Sequence, residues 1–174
     1  MTAPLHQLTM TYTAEQDRML LRIGTGENTE YQLWLTRRFI KVMWGALIQT
    51  MERDPEMNRD LMPSVRDAVM AMEHQEQVQA SDFSQKHNEE NTNLTSNTGP
   101  LLVVGGQVKP VNGDLTRINL KTDNGMGIEF ALNKQLMHAL CHMMITSAQK
   151  AEWDLDLIVG DPQVIVPEAA EQVH

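Results

Sequence analysis

Apolar and polar residues alternate along positions 6–13, with Leu8, Met10 and Tyr12 on one side and Gln7, Thr9 and Thr11 on the other. A period of two over that length predicts a half-buried strand. After the polar turn Ala14-Glu15-Gln16-Asp17, a second strand carries Met19, Leu21 and Ile23 inward and Arg18, Leu20 and Arg22 outward. Gly24–Asn28 supplies hairpin residues, and a third strand places Tyr31, Leu33 and Leu35 inward and Glu30, Gln32 and Trp34 outward. A three-stranded meander with one apolar face needs a cover. The pattern then changes to a helical one. Thr36 is a good N-cap, and at about 100° per residue Phe39, Ile40, Met43, Trp44, Ala46, Leu47 and Met51 share an arc opposite Arg38, Lys41, Gln49 and Glu52. This helix is expected to stop near Arg53.

Asp54-Pro55-Glu56 reads as the start of another helix, which Pro63 kinks or restarts. Val65, Ala68, Val69 and Met72 form a narrower apolar stripe along it. The extension from Glu73 to Lys86 is polar, with Val78 and Phe83 as anchors, and His87–Gly99 reads as a mobile linker.

The second half repeats the order of the first. Pro100–Val108 is an apolar strand with a bulge expected at Gly105-Gly106. Strands 115–122 and 126–132 pair through the hairpin signal Asp123-Asn124-Gly125. Asn133 caps a helix whose buried arc is Leu136, Met137, Ala139, Leu140, Met143 and Met144. A last strand is expected over Asp154–Val159, followed by an acidic tail. Arg18–Leu47 and Leu115–Met144 lie in register without a gap, at the constant offset of 97 that separates Thr36 from Asn133. Met19, Leu21 and Ile23 fall on Thr116, Ile118 and Leu120; Tyr31, Leu33 and Leu35 fall on Ile128, Phe130 and Leu132. Strand alternation, turn position and helix phase all recur at that offset, which points to a structural repeat.

The expected fold is therefore α+β, with two pseudo-repeated antiparallel β-meander-plus-helix units sharing one core and a helical insertion between them. One domain covers 1–174. Its parts are a first half 6–53, a helical arm and polar linker 54–99, a second half 100–160 and a tail 161–174.

Composition adds boundaries. The chain has 174 residues, 41% of them hydrophobic and 21% charged, which suits one globular domain. It holds no apolar run near the roughly 18 residues needed to span a bilayer, and the N-terminus lacks the pattern of a secretory signal. A single cysteine, Cys141, excludes an intrachain disulfide and fits a reducing, cytoplasmic location. The net charge of −9 disfavours a general nucleic-acid or anionic-membrane binder. Thirteen methionines suit core filling and also adaptable binding surfaces.

Candidate chemistry is sparse. His138 and His142 have a workable metal-ligand spacing, but their helical phase lies near Gln149 on the polar side, so surface histidines are expected and no metal or cofactor is. Asp154, Asp156 and Asp161 read as a solvated strand face rather than a cation site. Arg37, Arg38, Lys41 and Lys134 stand at two helix starts, where a cation is disfavoured by some 0.3–1 kcal/mol; a bound anion or nearby carboxylates would explain them. Trp34, with Leu20 beside it, points away from the core and marks a second layer or a partner surface. No phosphate-cradling loop, nucleophile elbow or zinc pattern is present in the sequence, so no enzyme is expected.

The segment YQLWLTRRFIKVMW (Tyr31–Trp44), with HQL and EQDRMLLR upstream, resembles a family of small uncharacterised bacterial proteins. That resemblance covers about the first quarter of the chain and implies no function. Duplicated strands-then-helix units are similar in topology to the Whirly-type single-stranded nucleic-acid binders, which have basic sheet faces and more strands per unit than the three read here. The expected function is a non-catalytic interaction or assembly module, self-associating as a homo-oligomer, through Trp34 and Leu20 or the 54–88 arm. The alternative is anion or single-stranded nucleic-acid binding through Arg18, Arg22, Arg37, Arg38 and Lys41.

Overall fold

The computed structural model describes residues 5–26, 29–53, 63–81, 93–94, 99–111 and 114–160. Its elements, in chain order, are β1 (Leu5–Thr13), β2 (Arg18–Thr25), β3 (Thr29–Leu35), α1 (Arg37–Glu52), α2 (Pro63–Ala80), β4 (Asn93–Leu94), β5 (Leu101–Pro110), β6 (Thr116–Thr122), β7 (Gly127–Leu132) and α3 (Lys134–Lys150). The fold is α+β: two units of three antiparallel strands and a helix, with α2 inserted between them.

Alternation fixes the register of each meander. Leu21 lies opposite Met10 on one side and Leu33 on the other, and Ile118 likewise lies between Val108 and Phe130. A one-residue slip would turn these side chains to the wrong face, so burial locks the pairing. The expected irregularity in β5 falls between Val103 and Gly105. A Cβ on Gly106 would stand 2.6 Å from the carbonyl oxygen of Asn119, so only glycine lets the strands approach this closely here.

The units join as one continuous sheet of order β1-β2-β3-β5-β6-β7. β3 pairs in parallel with β4 at Thr29 and Glu30, then with β5 at Leu33 and Trp34. From Val103 onward, the pairing of β5 among the described residues is with β6. Leu5 of β1 and Ile128–Phe130 of β7 line one small cavity of about 40 Å³, so the curled sheet brings its two ends together.

Both helices start as read. The Thr36 hydroxyl accepts the Phe39 N–H at 3.2 Å, and the Asn133 side-chain oxygen accepts that of Leu136 at 2.8 Å. α1 buries Ile40, Met43, Trp44, Leu47 and Met51; α3 buries Met137, Leu140, Cys141, Met144 and Ala148 at the same offset of 97. They close one core with Leu21, Leu33, Ile118, Phe130 and their neighbours. Each such side chain contributes roughly 1.5–3 kcal/mol on burial. Seven methionines (Met10, Met19, Met43, Met51, Met70, Met137 and Met144) fill gaps in that core.

Four expectations need correction. The stripe on α2 is not its buried side: Ala68 is buried, but Val65, Val69 and Met72 are exposed, and Met70 packs inward instead. Glu30, read as outward, is fully buried, and its carboxylate accepts from Arg22 and Gln32 on the same face. The strand expected over Asp154–Val159 does not form; the backbone is irregular there, with Asp156 at φ 49°. Gly160, at φ 66°, then presses so closely on α2 that a Cβ would sit 2.6 Å from the Ala71 nitrogen and still nearer the Asp67 carbonyl oxygen. Within the linker reading of 87–99, Asn93–Leu94 is a short strand on β3. The helix start at Asp54, the anchor Phe83, Asp161 and the tail lie outside the described residues, as does the rest of that linker up to Thr98.

Candidate interaction surface

α1 lies beside β5, and α3 lies beside β1. Each pairing leaves a groove between helix and strand. The first, of about 520 Å³, is lined by Thr36, Arg38, Phe39, Val42, Met43 and Ala46 from the helix side and by Leu102–Val108 from the strand. The second, of about 730 Å³, is lined by Gln135, Leu136, Ala139, His142 and Met143 from α3 and by Leu5–Tyr12 from β1. Moving Arg38, Phe39, Val42 and Ala46 by the offset of 97 gives Gln135, Leu136, Ala139 and Met143, so the two grooves are built from equivalent positions.

Their surroundings differ. α2 packs on α3 and meets its first turns three times. Glu73 pairs with Lys134, Gln135 Nε2 donates to the Ala80 carbonyl oxygen at 3.2 Å, and the Nδ1 atoms of His74 and His138 lie 2.9 Å apart. Ala139 is only 7% exposed. Its α1 equivalent, Val42, is 65% exposed, and Val104 across the groove is 56% exposed. Of the two helices, α3 has one flank covered by α2 and Ala139 buried, whereas α1 presents Val42 to solvent.

The predicted site residues divide accordingly. Trp34 and Leu20 are direct cross-strand partners, and Trp34 also stands beside Leu102 of β5, so the three form a half-buried row on the far face of the sheet. Arg37, Arg38 and Lys41 are exposed on α1. Lys134, their counterpart at the start of α3, is engaged by the Glu73 carboxylate, an internal example of an anion at a cationic helix start. Arg22 donates to the buried Glu30 carboxylate at 2.8 Å, so its charge is already paired within the sheet.

The histidines require a correction. His138 is buried, not on a polar surface, because α2 covers the flank of α3 that sequence phase assigns to water. His74, from α2, is the partner that the sequence reading missed. Burial, and then the neighbouring His142, lowers the His74 pKa below its ordinary value. Among the described residues no group of three potential ligands is arranged to hold a metal ion.

A second cluster ties the irregular segment after α3 to the first hairpin. Asp17 Oδ1 accepts the Tyr12 hydroxyl at 2.7 Å and the Trp153 indole N–H at 3.0 Å, and the two rings meet edge to face at 5.9 Å. The Tyr12 hydrogen bond, then that from Trp153, holds the Asp17 pKa below its usual value. Cys141 is fully buried, and desolvation pushes its thiol up to about 12.

The sequence reading did not single out Val42 or Val104. The available signal was Val42 itself, a β-branched apolar residue lying outside the buried arc of α1. No described helix is long and apolar enough to cross a membrane. Comparison of the chain with protein-family models, with curated proteins and with solved structures finds no match.

Proposed function

We propose that this protein is a non-catalytic, cytoplasmic protein-interaction or assembly module whose working surface is the groove between α1 and β5. The observation that carries this reading is the contrast between Val42 and Ala139: equivalent positions on paired helices, one open to water and one buried. An exposed aliphatic pair such as Val42 and Val104, flanked by Arg38, has the form of a docking patch, an apolar centre with a charged rim. We further propose that the two units descend from one duplicated meander and helix, which would explain why both helices carry a docking face.

The test is a photo-crosslinking side chain at position 42 in the full chain, expressed in its host, with the exposed Gln49 position as control. Discrete protein adducts from position 42, absent from position 49, support the reading; the same adduct pattern from both positions, or none from position 42, overturns it.

A second reading, anion or single-stranded nucleic-acid binding, draws support from the exposure of Arg37, Arg38 and Lys41 at the start of α1. Salt-dependent binding of a fluorescent single-stranded oligonucleotide, lost on Arg37→Gln with Arg38→Gln, would favour it; binding unchanged by those substitutions would remove it.

A further inference from the structure

We propose that the α1 groove receives helix α2 of a second copy of this chain, and that two chains close a twofold dimer through two such contacts. This deepens the interaction reading above and rests on it.

The first argument is an internal precedent. α2 grips α3 through Lys134, Gln135 and His138. At the offset of 97 their counterparts are Arg37, Arg38 and Lys41, all exposed. The structure thus holds one example of α2 seated on this flank of a helix, beside the groove that the helix forms with its strand, while among the described residues the same flank of α1 is exposed. The exposed version is the more cationic, so its occupant should be acidic.

The second argument is the free side of α2. Val65, Val69 and Met72 are 43%, 37% and 60% exposed. At about 100° per residue they share one side with exposed Glu76, roughly opposite the side that carries Met70 and His74. An apolar stripe with a carboxylate beside it matches an apolar groove rimmed by arginine and lysine. Because α2 already sits on its own α3 with the other side, this stripe remains available to another molecule.

The third argument is closure. Every chain offers one α1 groove, the cationic one of its two, and one exposed α2 stripe, and the net charge of −9 makes the α1 cations an exception on an acidic molecule. When each chain gives its stripe and receives its partner's, both are covered and the assembly stops at two. A heterologous contact without closure would instead run on as a filament.

Sedimentation velocity of the full chain over a dilution series tests this. The expected result is a dimer that dissociates on dilution. Val42→Glu, Val69→Glu and the charge reversal Lys41→Glu should each raise its dissociation constant by about tenfold or more. All three positions are exposed, and unchanged near-ultraviolet circular dichroism checks that the fold persists. Mixing a Val42→Cys chain with a Val69→Cys chain under mild oxidation should give a mixed disulfide dimer; Val42→Cys alone should not. A chain that stays monomeric at all concentrations, or a dimer indifferent to both Val42→Glu and Val69→Glu, overturns the proposal. If the chain is monomeric while position 42 still crosslinks to a different host protein, the interaction reading stands and only this inference falls. If position 42 contacts no protein, both fall.

Discussion

Nδ1 of His74 on α2 and Nδ1 of His138 on α3 lie 2.9 Å apart, close enough that one must donate and the other accept. Only one ring nitrogen of the two can carry the shared proton, so the contact requires at least one neutral imidazole. Burial, followed by His142, already lowers the His74 pKa from 6.5. The folded state therefore binds fewer protons than the unfolded state as pH falls through that range. The stabilisation is present above pH 6.5 and is lost as the pH drops toward the lowered folded value. Urea midpoints measured from pH 8 to 5 should fall with acidification. His74→Leu should flatten that dependence, and an unchanged slope would show that the pair is not its source.

Cys141 should be chemically silent. Its thiol is enclosed by the core and its pKa is pushed up to about 12, so almost no thiolate forms at neutral pH. Iodoacetamide should label the native chain only at the rate of global unfolding. Labelling that is fast in buffer and independent of added urea would contradict this burial.

Arg22 and Glu30 form a pair that is costly to break on one side only. Glu30 is fully buried, with Arg22 Nε and Gln32 Nε2 each at 2.8 Å. Arg22→Met leaves a buried carboxylate without its cation and should cost about 3 kcal/mol. The double change Arg22→Met with Glu30→Leu removes the orphaned charge and should be less damaging than the single one. Denaturant titrations of the three chains decide this; additive losses would argue against coupling.

Gly160 should be the seam between the segment after α3 and α2. At φ 66° an alanine is strained, and its Cβ would collide with the backbone of Asp67 and Ala71. Gly160→Ala should displace this segment and speed amide exchange in α2, while exchange in β6 and β7 stays unchanged. Uniformly faster exchange would mean that the glycine supports the whole core instead.

Much of this fold was legible because strand alternation and helix phase are local signals. Met19-x-Leu21-x-Ile23 and Ile118-x-Leu120 state their inward face directly, and Thr36 and Asn133 announce the helix starts. What failed was whatever depended on a third layer. His138 looked solvated because the phase of α3 shows one apolar arc, whereas the helix is covered twice, by the sheet and by α2. Val65, Val69 and Met72 were read as one stripe with Ala68 for the converse reason: apolar periodicity is a local signal and does not say whether the chain itself covers it. Glu30 was read only as outward, because alternation assigns a face to a strand residue but not a partner to its charge. The parallel join of β3 to β5 has no local signature at all, since it follows from where two meanders meet. Of the proposed interaction surface, the cations of α1 were visible in sequence; the exposure of Val42 beside them stood out only against the buried Ala139 of α3.

The account turns on Val42 being covered when the protein is at work. With Cys141 silent, a Val42→Cys chain carries one reactive thiol, and its maleimide labelling rate reads that coverage directly. The rate should be high in dilute purified protein, matching a Gln49→Cys control, and should fall well below that control in intact host cells. Equal rates for the two positions inside the cell would contradict the claim that α1 and β5 form a docking surface.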